Sequence, residues 1–248
     1  MLAAHAGKHV FLEKPFALAT ADALKAAAAC KQAGVVLAVG HSRRRQAPNR
    51  KLKAMLEAKE LGVVTQVEGN LSAGSALGYA PDFWRSSRTE SPAGGMTAMG
   101  VHHVDTFQYL LGPISRVMAI SKRLAAPVDL DDTTALIFEF ERGLVGYLGT
   151  SLVSPKILYL NVYGTEANAY TEGAGAAEGE ETRLLIQKVG GDQKVAVPLP
   201  PTDIFREELE DFAHAVRGGR AYEVTVEEAI RVVPSARLSC DPSRPADL

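Results

Sequence analysis

Residues 91–112 read S-P-A-G-G-M-T-A-M-G-V-H-H-V-D-T-F-Q-Y-L-L-G, a glycine-containing turn followed by a helical pattern. The first five residues disfavour a helix, because proline lacks an amide hydrogen and paired glycines are conformationally loose. From about Thr97, apolar residues recur every three or four positions until Gly112, which predicts a helix that ends there. Because the first turn of a helix presents free amide groups, the segment predicts a functional site as well as core.

His102 and Asp105 are three residues apart in this helix, and therefore lie on the same side of it. An imidazole titrates near neutral pH, so His102 could act as an acid or a base, with Asp105 orienting it or pairing elsewhere. The alternative is that His102 packs in the core and makes one backbone hydrogen bond. For His103, on another face, we expect that packing role.

A strand–helix–strand unit is predicted near the N-terminus. Residues 8–12 form a short apolar strand, a helix runs from Thr20 or Asp22 to Ala33, and residues 35–39 are continuously apolar. Such a run is typical of a parallel strand that is buried on both faces. These lengths fit one right-handed βαβ unit, which alone cannot bury both faces of its sheet.

Polar residues follow both of these strands. Glu13, Lys14 and Pro15 follow the first, and the segment from His41 to Arg44 follows the second. Ligands bind outside the carboxyl ends of parallel strands, so we expect these residues to share one rim. The Lys14 ammonium could hold or polarise a hydroxyl or carbonyl group, and Pro15 restricts the backbone beside it. The alternative for Lys14 is a solvated lysine at a strand end.

The remainder of the chain predicts a second sheet. A helix is expected over residues 47–61, and short turns between the following strands indicate an antiparallel or mixed sheet. Asp203 can cap a helix that ends near Arg217, and Thr225-x-x-Glu228 is a capping-box pattern for a last helix that Pro234 is expected to interrupt. The predicted strands are 63–71, 115–123, 133–141, 143–153, 157–164, 167–171, 182–189 and 194–198.

Composition narrows the class of protein. The chain has 248 residues and a net charge of −2, so it lacks the basic surface of a nucleic-acid-binding protein. Cys30 and Cys240 are its two cysteines, a usage that fits a reducing compartment. No apolar run is long enough to span a membrane, no signal-peptide pattern is present, and no histidine or cysteine spacing matches a metal motif. We expect a cytoplasmic protein without nucleic-acid, membrane or metal binding.

Trp84 and Arg85 follow an aromatic loop over residues 79–83. A tryptophan ring and a guanidinium together can cover a planar ligand and hold a phosphate. The alternative is that the tryptophan belongs to the core.

Together these motifs resemble the glucose–fructose oxidoreductase, inositol dehydrogenase and rhizopine-catabolism (Gfo/Idh/MocA) family. Their order and spacing agree with the family from about residue 3 to residue 233. The resemblance is carried by K-H-V-F-L-E-K-P at 8–15, V-G-H-S-R-R at 39–44, F-W-R at 83–85, A-G-G-M-T-A-M-G-V-H-H-V-D at 93–105 and a closing helix at 208–219.

The resemblance implies an α/β protein with two domains. Residues 1–42 would be the last βαβ portion of a doubly wound, dinucleotide-binding (Rossmann) domain, and residues 43–248 a substrate-binding domain with a large, open, mainly antiparallel sheet. That sheet would form a homodimer or homotetramer. The implied activity is hydride transfer between NAD or NADP and a sugar, inositol or related polyol.

The resemblance also implies roles for individual residues. Lys14 and His102 would be catalytic and would handle the proton. The cofactor would contact Glu13, Lys14, Pro15, His41, Trp84 and Arg85, and the substrate would contact Lys14, Arg44, His102 and Asp105.

The chain departs from the family pattern in three places. Many members have an aspartate where this chain has Ala98, so proton handling would rely on Lys14 and His102. No G-x-G-x-x-G occurs, and about 60–90 residues that include it are expected before Met1. We therefore expect weak dinucleotide binding by these 248 residues alone. After Val233 the helical pattern gives way to a turn-rich tail at 241–245, which suggests a shifted reading frame or a truncated gene.

Two other functions stay open. Some relatives use a transient hydride step to cleave glycosides or eliminate groups without net redox change. Alternatively, the chain could be a truncated remnant that is not an enzyme and acts as an oligomerisation or interaction module.

Overall fold

The computed structural model describes residues 1–173 and 182–238, which form a mixed α/β fold with two sheets. The smaller sheet contains β1 (Val10–Glu13) and β2 (Leu37–Gly40), which are parallel and joined by α2 (Thr20–Gln32). A short helix, α1 (Leu2–His5), precedes them. The predicted βαβ unit is confirmed. Cys240 and the predicted tail at 241–245 lie outside the described residues.

The larger sheet has eight strands in the order β10-β9-β8-β7-β3-β6-β5-β4. Neighbouring strands are antiparallel except β3 and β6, which are parallel, so the sheet is mixed, as predicted. The strands follow the predicted positions closely. They are β3 (Val64–Ser72), β4 (Ile114–Lys122), β5 (Thr133–Phe140), β6 (Val145–Ser151), β7 (Ile157–Gly164), β8 (Ala167–Glu172), β9 (Arg183–Lys188) and β10 (Val195–Val197).

Four further helices are α3 (Ala47–Glu57), α4 (Val101–Leu111), α5 (Ile204–Val216) and α6 (Val226–Leu238). Helix α3 ends before the predicted Leu61, because the backbone turns at Lys59 and Gly62, which have φ angles of 57° and 71°. The prediction that Pro234 interrupts α6 is wrong, since the helix continues to Leu238. A proline removes one intrahelical hydrogen bond, and here its neighbours continue the helix.

The two predicted helix caps are confirmed. The Asp203 carboxylate accepts a hydrogen bond of 3.0 Å from the amide of Arg206 at the start of α5. Before α6, the Thr225 hydroxyl accepts from the amide of Glu228 at 3.2 Å, and the Glu228 carboxylate accepts from the amide of Thr225 at 3.0 Å. This reciprocal pair is a capping box.

Helix α6 packs against both parts of the fold. Val232 belongs to the large core between the helices and one face of the eight-stranded sheet, whereas Val233 belongs to the core around β1, β2 and α2. The opposite face of the large sheet exposes apolar side chains, among them Met118, Ile120 and Ile137. In the part of the chain that the structure describes, no helix is long and apolar enough to cross a membrane.

Candidate functional site

The candidate site lies at the carboxyl ends of β1 and β2. In the parallel register, Glu13 at the end of β1 pairs with Gly40 at the end of β2. Lys14 and His41 each follow directly, and the Lys14–Pro15 peptide bond is cis. The prediction that these two segments share a rim is confirmed.

Lys14 connects this rim to the helix that carries His102. The Lys14 Nζ donates a hydrogen bond of 2.8 Å to the backbone carbonyl of Ala98. Ala98 lies within a π-helical turn, Met96–Gly100, directly before α4. Such turns shift the backbone hydrogen bonds by one residue and occur frequently at functional sites. The sequence predicted an ordinary helix here, so the π turn is a correction to that prediction.

Tight packing explains two glycines, Gly94 just before this turn and Gly100 at its end. At Gly94, where φ is +51°, an added Cβ would lie 1.8 Å from the Asp131 carbonyl oxygen. At Gly100 an added Cβ would lie 2.0 Å from the sulfur of Met96. The predicted glycine-containing entry is therefore required by close approach.

The charge of Lys14 is weakened by its surroundings. The pKa of its amine is lowered from 10.5 to about 8, chiefly by burial and to a smaller extent by Arg85 and Arg43, while Glu13 opposes these effects. Among the described residues, no carboxylate forms an ion pair with Lys14. At pH 8, about half of the Lys14 side chains are therefore neutral.

His102 follows shortly after the π turn, and the residue is half-buried. Its Nδ1 is buried and makes no hydrogen bond in the described structure. Burial, followed by Lys14, Arg43 and His41, lowers the pKa of His102 well below 6.5. The ring is therefore neutral at pH 7, a state in which it can accept a proton.

His41 is buried beside this pair, with 1% of its surface exposed. Its two ring nitrogens have no hydrogen-bond partner among the described residues, and Nδ1 lies 3.7 Å from an Asp105 carboxylate oxygen. Burial lowers the pKa of His41, while Asp105 opposes this effect.

Arg44 and Asp105 bind each other directly. The Arg44 Nη2 donates to Asp105 Oδ1 at 2.6 Å and Nε donates to Oδ2 at 3.0 Å, and both side chains are at most 2% exposed. Arg44 Nη1 also donates to Glu228 at 3.1 Å. Burial alone would lower the pKa of Arg44, but Asp105 and Glu228 raise it. This arrangement joins the end of β2 to α4 and α6, and contact of Arg44 or Asp105 with a substrate stays a prediction.

Trp84 is 56% exposed, so the alternative that it belongs to the core is wrong. The guanidinium of Arg85 lies 4.6 Å from the centroid of its indole ring. Phe83 and Tyr79 continue the cluster, with centroids 4.9 Å apart. Arg85 also acts electrostatically on Lys14 and lowers the pKa of its amine.

His103 packs in the core, as expected. Its Nε2 lies 2.8 Å from the carbonyl oxygen of Tyr159, and its ring lies edge-on to Phe107. An added Cβ at Gly69 would lie 2.5 Å from this ring, so the glycine leaves room for it.

The predicted rim segment from His41 to Arg44 includes Arg43, but sequence reasoning assigned no individual role to Arg43 or Arg45. Arg43 acts electrostatically on Lys14 and His102. Arg45 is buried and donates to Asp211 at 2.8 Å and Glu208 at 3.4 Å. The run R-R-R at 43–45 was the available signal, but a run of like charges usually indicates a solvated surface.

Two family models match consecutive parts of this chain. The model of the GFO/IDH/MocA C-terminal domain matches residues 49–170, and that of the oxidoreductase family, NAD-binding Rossmann fold, matches residues 1–41. D-xylose 1-dehydrogenase (NADP(+)) 2 of Haloferax volcanii is 29% identical over 93% of this chain and 69% of its own length. scyllo-Inositol 2-dehydrogenase (NAD(+)) of Bacillus subtilis is 28% identical over 90% of this chain and 65% of its own length.

A solved structure supports the same relationship. A proposed NADPH-dependent oxidoreductase from Desulfitobacterium hafniense is 31% identical and has a TM-score of 0.89. The match covers 95% of this chain and 70% of that protein. Fold and comparisons together define the class, which is that of NAD(P)-dependent oxidoreductases. Within that class, the chain belongs to the Gfo/Idh/MocA family.

No group of three or more histidine, cysteine, aspartate or glutamate side chains that could hold a metal ion occurs in residues 1–173 and 182–238.

Proposed function

We propose that this protein is a dehydrogenase that transfers a hydride between NAD or NADP and a sugar or cyclitol, with Lys14 and His102 handling the proton. The observation that carries the proposal is the hydrogen bond from Lys14 to Ala98. It holds an amine from the end of β1 beside the start of α4, where His102 lies. The relatives that act on D-xylose and scyllo-inositol support a small polyhydroxylated substrate.

The residues of the rim fit the nicotinamide end of a dinucleotide. Trp84 exposes a planar aromatic surface with Arg85 stacked on it, and the two ring nitrogens of His41 have no hydrogen-bond partner within residues 1–173 and 182–238. We assign the cofactor contacts to these three residues together with Glu13, Lys14 and Pro15. When bound, the dinucleotide supplies the hydride acceptor for oxidation or the hydride donor for reduction.

Lys14 and His102 divide the remaining chemistry. The neutral imidazole of His102 accepts the proton of the substrate hydroxyl group during oxidation and returns it during reduction. The Lys14 ammonium donates to the same oxygen and stabilises its developing negative charge. Because residue 98 is alanine, a carboxylate at that position takes no part in this transfer.

The buried pair of Arg44 and Asp105 lies next to this site and does not itself take up or release the proton. We propose that it positions α4 relative to the end of β2 and borders the substrate end of the site. Its burial and its bidentate geometry support a role in orienting neighbouring groups, including His41.

The wider organisation is also a proposal. We propose that residues 1–42 form a dinucleotide-binding portion and residues 43–248 a substrate-binding and oligomerisation domain. The two family matches, over residues 1–41 and 49–170, support this division. The exposed apolar side chains of the open sheet, such as Ile120 and Ile137, support a homodimer or homotetramer. Cys30 is buried and forms no disulfide among the described residues, which supports a reducing, cytoplasmic location.

Turnover assays test the proposal. Sugars and cyclitols are supplied with NAD⁺ or NADP⁺ at millimolar concentration, so that weak cofactor binding does not hide turnover. Lys14→Ala and His102→Ala should each lower turnover by about 100-fold or more if the residues act in acid–base catalysis. The exposed Lys8 and His214 provide matched controls, Lys8→Ala and His214→Ala. Near-normal turnover in either test variant would remove that residue from the mechanism.

The same assay separates the two alternatives. Net formation of NADH or NADPH from a free sugar supports a dehydrogenase and argues against a redox-neutral lyase or glycosidase. A folded protein that turns over no substrate and binds no dinucleotide would favour an oligomerisation or interaction module.

A further inference from the structure

Lys14 differs from other lysines of the chain in the partner of its amine. Lys25 lies 3.4 Å from the Asp22 carboxylate, and Lys53 lies 3.6 Å from that of Glu57. The hydrogen bond of Lys14 goes instead to an uncharged carbonyl, that of Ala98. A carboxylate would hold the lysine in its charged form, whereas a carbonyl does so more weakly.

The groups around Lys14 also disfavour its charged form. Arg85, in the aromatic loop, and Arg43, in the segment after β2, both act electrostatically on its amine, and Lys14 in turn acts on His102 in α4. Burial and the two arginines bring the pKa of the Lys14 amine to about 8, although Glu13 opposes them. A lysine that is desolvated and next to other cations is activated as a nucleophile.

Arg85 adds a binding feature to this amine. It is exposed and stacks on Trp84, and within the described ranges it makes no ion pair with a carboxylate. An exposed guanidinium that is not engaged by a carboxylate can bind a phosphate through two parallel hydrogen bonds.

We propose that Lys14 is a covalent capture site for small aldehydes that carry a phosphate group, with the amine forming an imine and Arg85 binding the phosphate. This reaction is separate from hydride transfer and requires no dinucleotide. Phosphorylated aldehydes of this size include open-chain sugar phosphates.

The step balances without an oxidant or a reductant. The neutral Lys14 nitrogen attacks the carbonyl carbon, a C–N bond forms, and the amine proton moves to the carbonyl oxygen. The resulting carbinolamine loses its hydroxyl group with a proton as water, which leaves the C=N bond of the imine. The imidazole of His102, whose Nδ1 is unpartnered in the described structure, can accept and return the proton.

Reductive trapping tests the proposal on the unmodified protein. Pyridoxal 5′-phosphate is added at limiting concentration, the imine is reduced with borohydride, and the labelled lysines are located by peptide mass spectrometry. At pH 8 the neutral fraction of Lys14 is roughly 100-fold that of an ordinary lysine, so we expect Lys14 to be labelled at least about tenfold faster than Lys8 or Lys51. Its labelling should rise with pH through a midpoint near 8.

Three comparisons complete the experiment. Lys14→Arg should remove the dominant label, whereas Lys53→Arg should leave it unchanged. Pyridoxal, which lacks the phosphate, should label Lys14 more slowly, and Arg85→Gln should remove this difference. Labelling of Lys14 at the rate of Lys8 and Lys51 would overturn the proposal. Because no dinucleotide is present, that failure would leave the proposed hydride transfer standing, and a failed turnover assay would leave this proposal standing.

Discussion

Two clusters on the rim differ in the partners of their cations. The paired cluster contains Arg44 and Arg45 with their carboxylates, and the Lys14 cluster contains Lys14 and the Ala98 carbonyl. Arg44 and Arg45 are buried among carboxylates, with Asp105, Glu228, Asp211 and Glu208 within ion-pair distance. Lys14 lies close by and forms its hydrogen bond to a backbone carbonyl. A buried cation with carboxylate partners is fixed in its charge and position, whereas a cation without them can change its protonation state. The first cluster therefore holds the structure, and the second is available for chemistry.

The largest expected effect comes from breaking the paired cluster. Asp105→Ala leaves the buried Arg44 with Glu228 as its remaining carboxylate, and we expect a loss of about 3–5 kcal/mol in the free energy of unfolding. Lys14→Ala should change that free energy far less. Urea denaturation followed by circular dichroism measures both. Similar losses for the two variants would contradict the division of roles.

A conservative substitution in the Lys14 cluster should lower turnover strongly although it changes stability little. Lys14→Arg retains a cation but replaces the compact ammonium with a larger, planar guanidinium, which cannot donate to the substrate oxygen from the same position, so we expect turnover to fall by about 100-fold with little change in stability. Lys8→Arg is the matched control. Normal turnover in Lys14→Arg would show that a compact ammonium at this position is not required.

Glu208 provides a test of pH dependence within the paired cluster. Burial raises the pKa of its carboxyl group from 4.5 to about 7, against the opposing effects of Arg45 and Tyr222. The folded state then binds the proton more tightly than the unfolded state, so the stabilising contribution is complete below about pH 4.5 and is lost as the pH rises to about 7.

Glu208→Gln should remove this part of the pH dependence. Thermal unfolding between pH 4.5 and pH 8 measures it, with the partly exposed Glu207 as a control in Glu207→Gln. An unchanged slope of melting temperature against pH in Glu208→Gln would show that Glu208 does not titrate in this range.

The smallest effect should come from giving Lys14 a carboxylate neighbour. Ala98→Asp introduces an acidic side chain at the residue whose carbonyl Lys14 contacts. We expect the pKa of the Lys14 amine to rise by roughly one unit, because an opposite charge favours the ammonium form. The pH midpoint of reductive labelling should move to higher pH by the same amount. An unmoved midpoint would place residue 98 outside the electrostatic environment of Lys14.

Much of the fold follows from local patterns. Strand β5 (Thr133–Phe140) matches the predicted strand over 133–141, and in the structure the buried Leu136, Phe138 and Phe140 alternate with exposed or less buried residues. The proximity of Lys14 and His41 follows from the rule that parallel strands end at one edge. The end of α3 was mispredicted, because the backbone turns at Lys59 and Gly62, and the continuation of α6 past Pro234 was also mispredicted.

The contacts that define the two clusters could not be predicted in the same way. Lys14 and Ala98 are 84 positions apart, and the acceptor is a backbone carbonyl within a π turn, which side-chain patterns do not reveal. Arg44 and Glu228 are 184 positions apart, and the sequence identified Glu228 as a helix cap alone. Such pairings depend on tertiary packing, which determines which strand end meets which helix.

A titration of the Lys14 amine tests the contrast between the two clusters most directly. The signal of its ε-methylene group in a ¹³C-labelled sample can be assigned by its absence in Lys14→Arg and followed from pH 6 to pH 11. An amine that is buried, near two arginines and bonded to a neutral carbonyl should titrate with a midpoint at about 8. A midpoint close to 10.5, where an ordinary lysine titrates, would contradict the account.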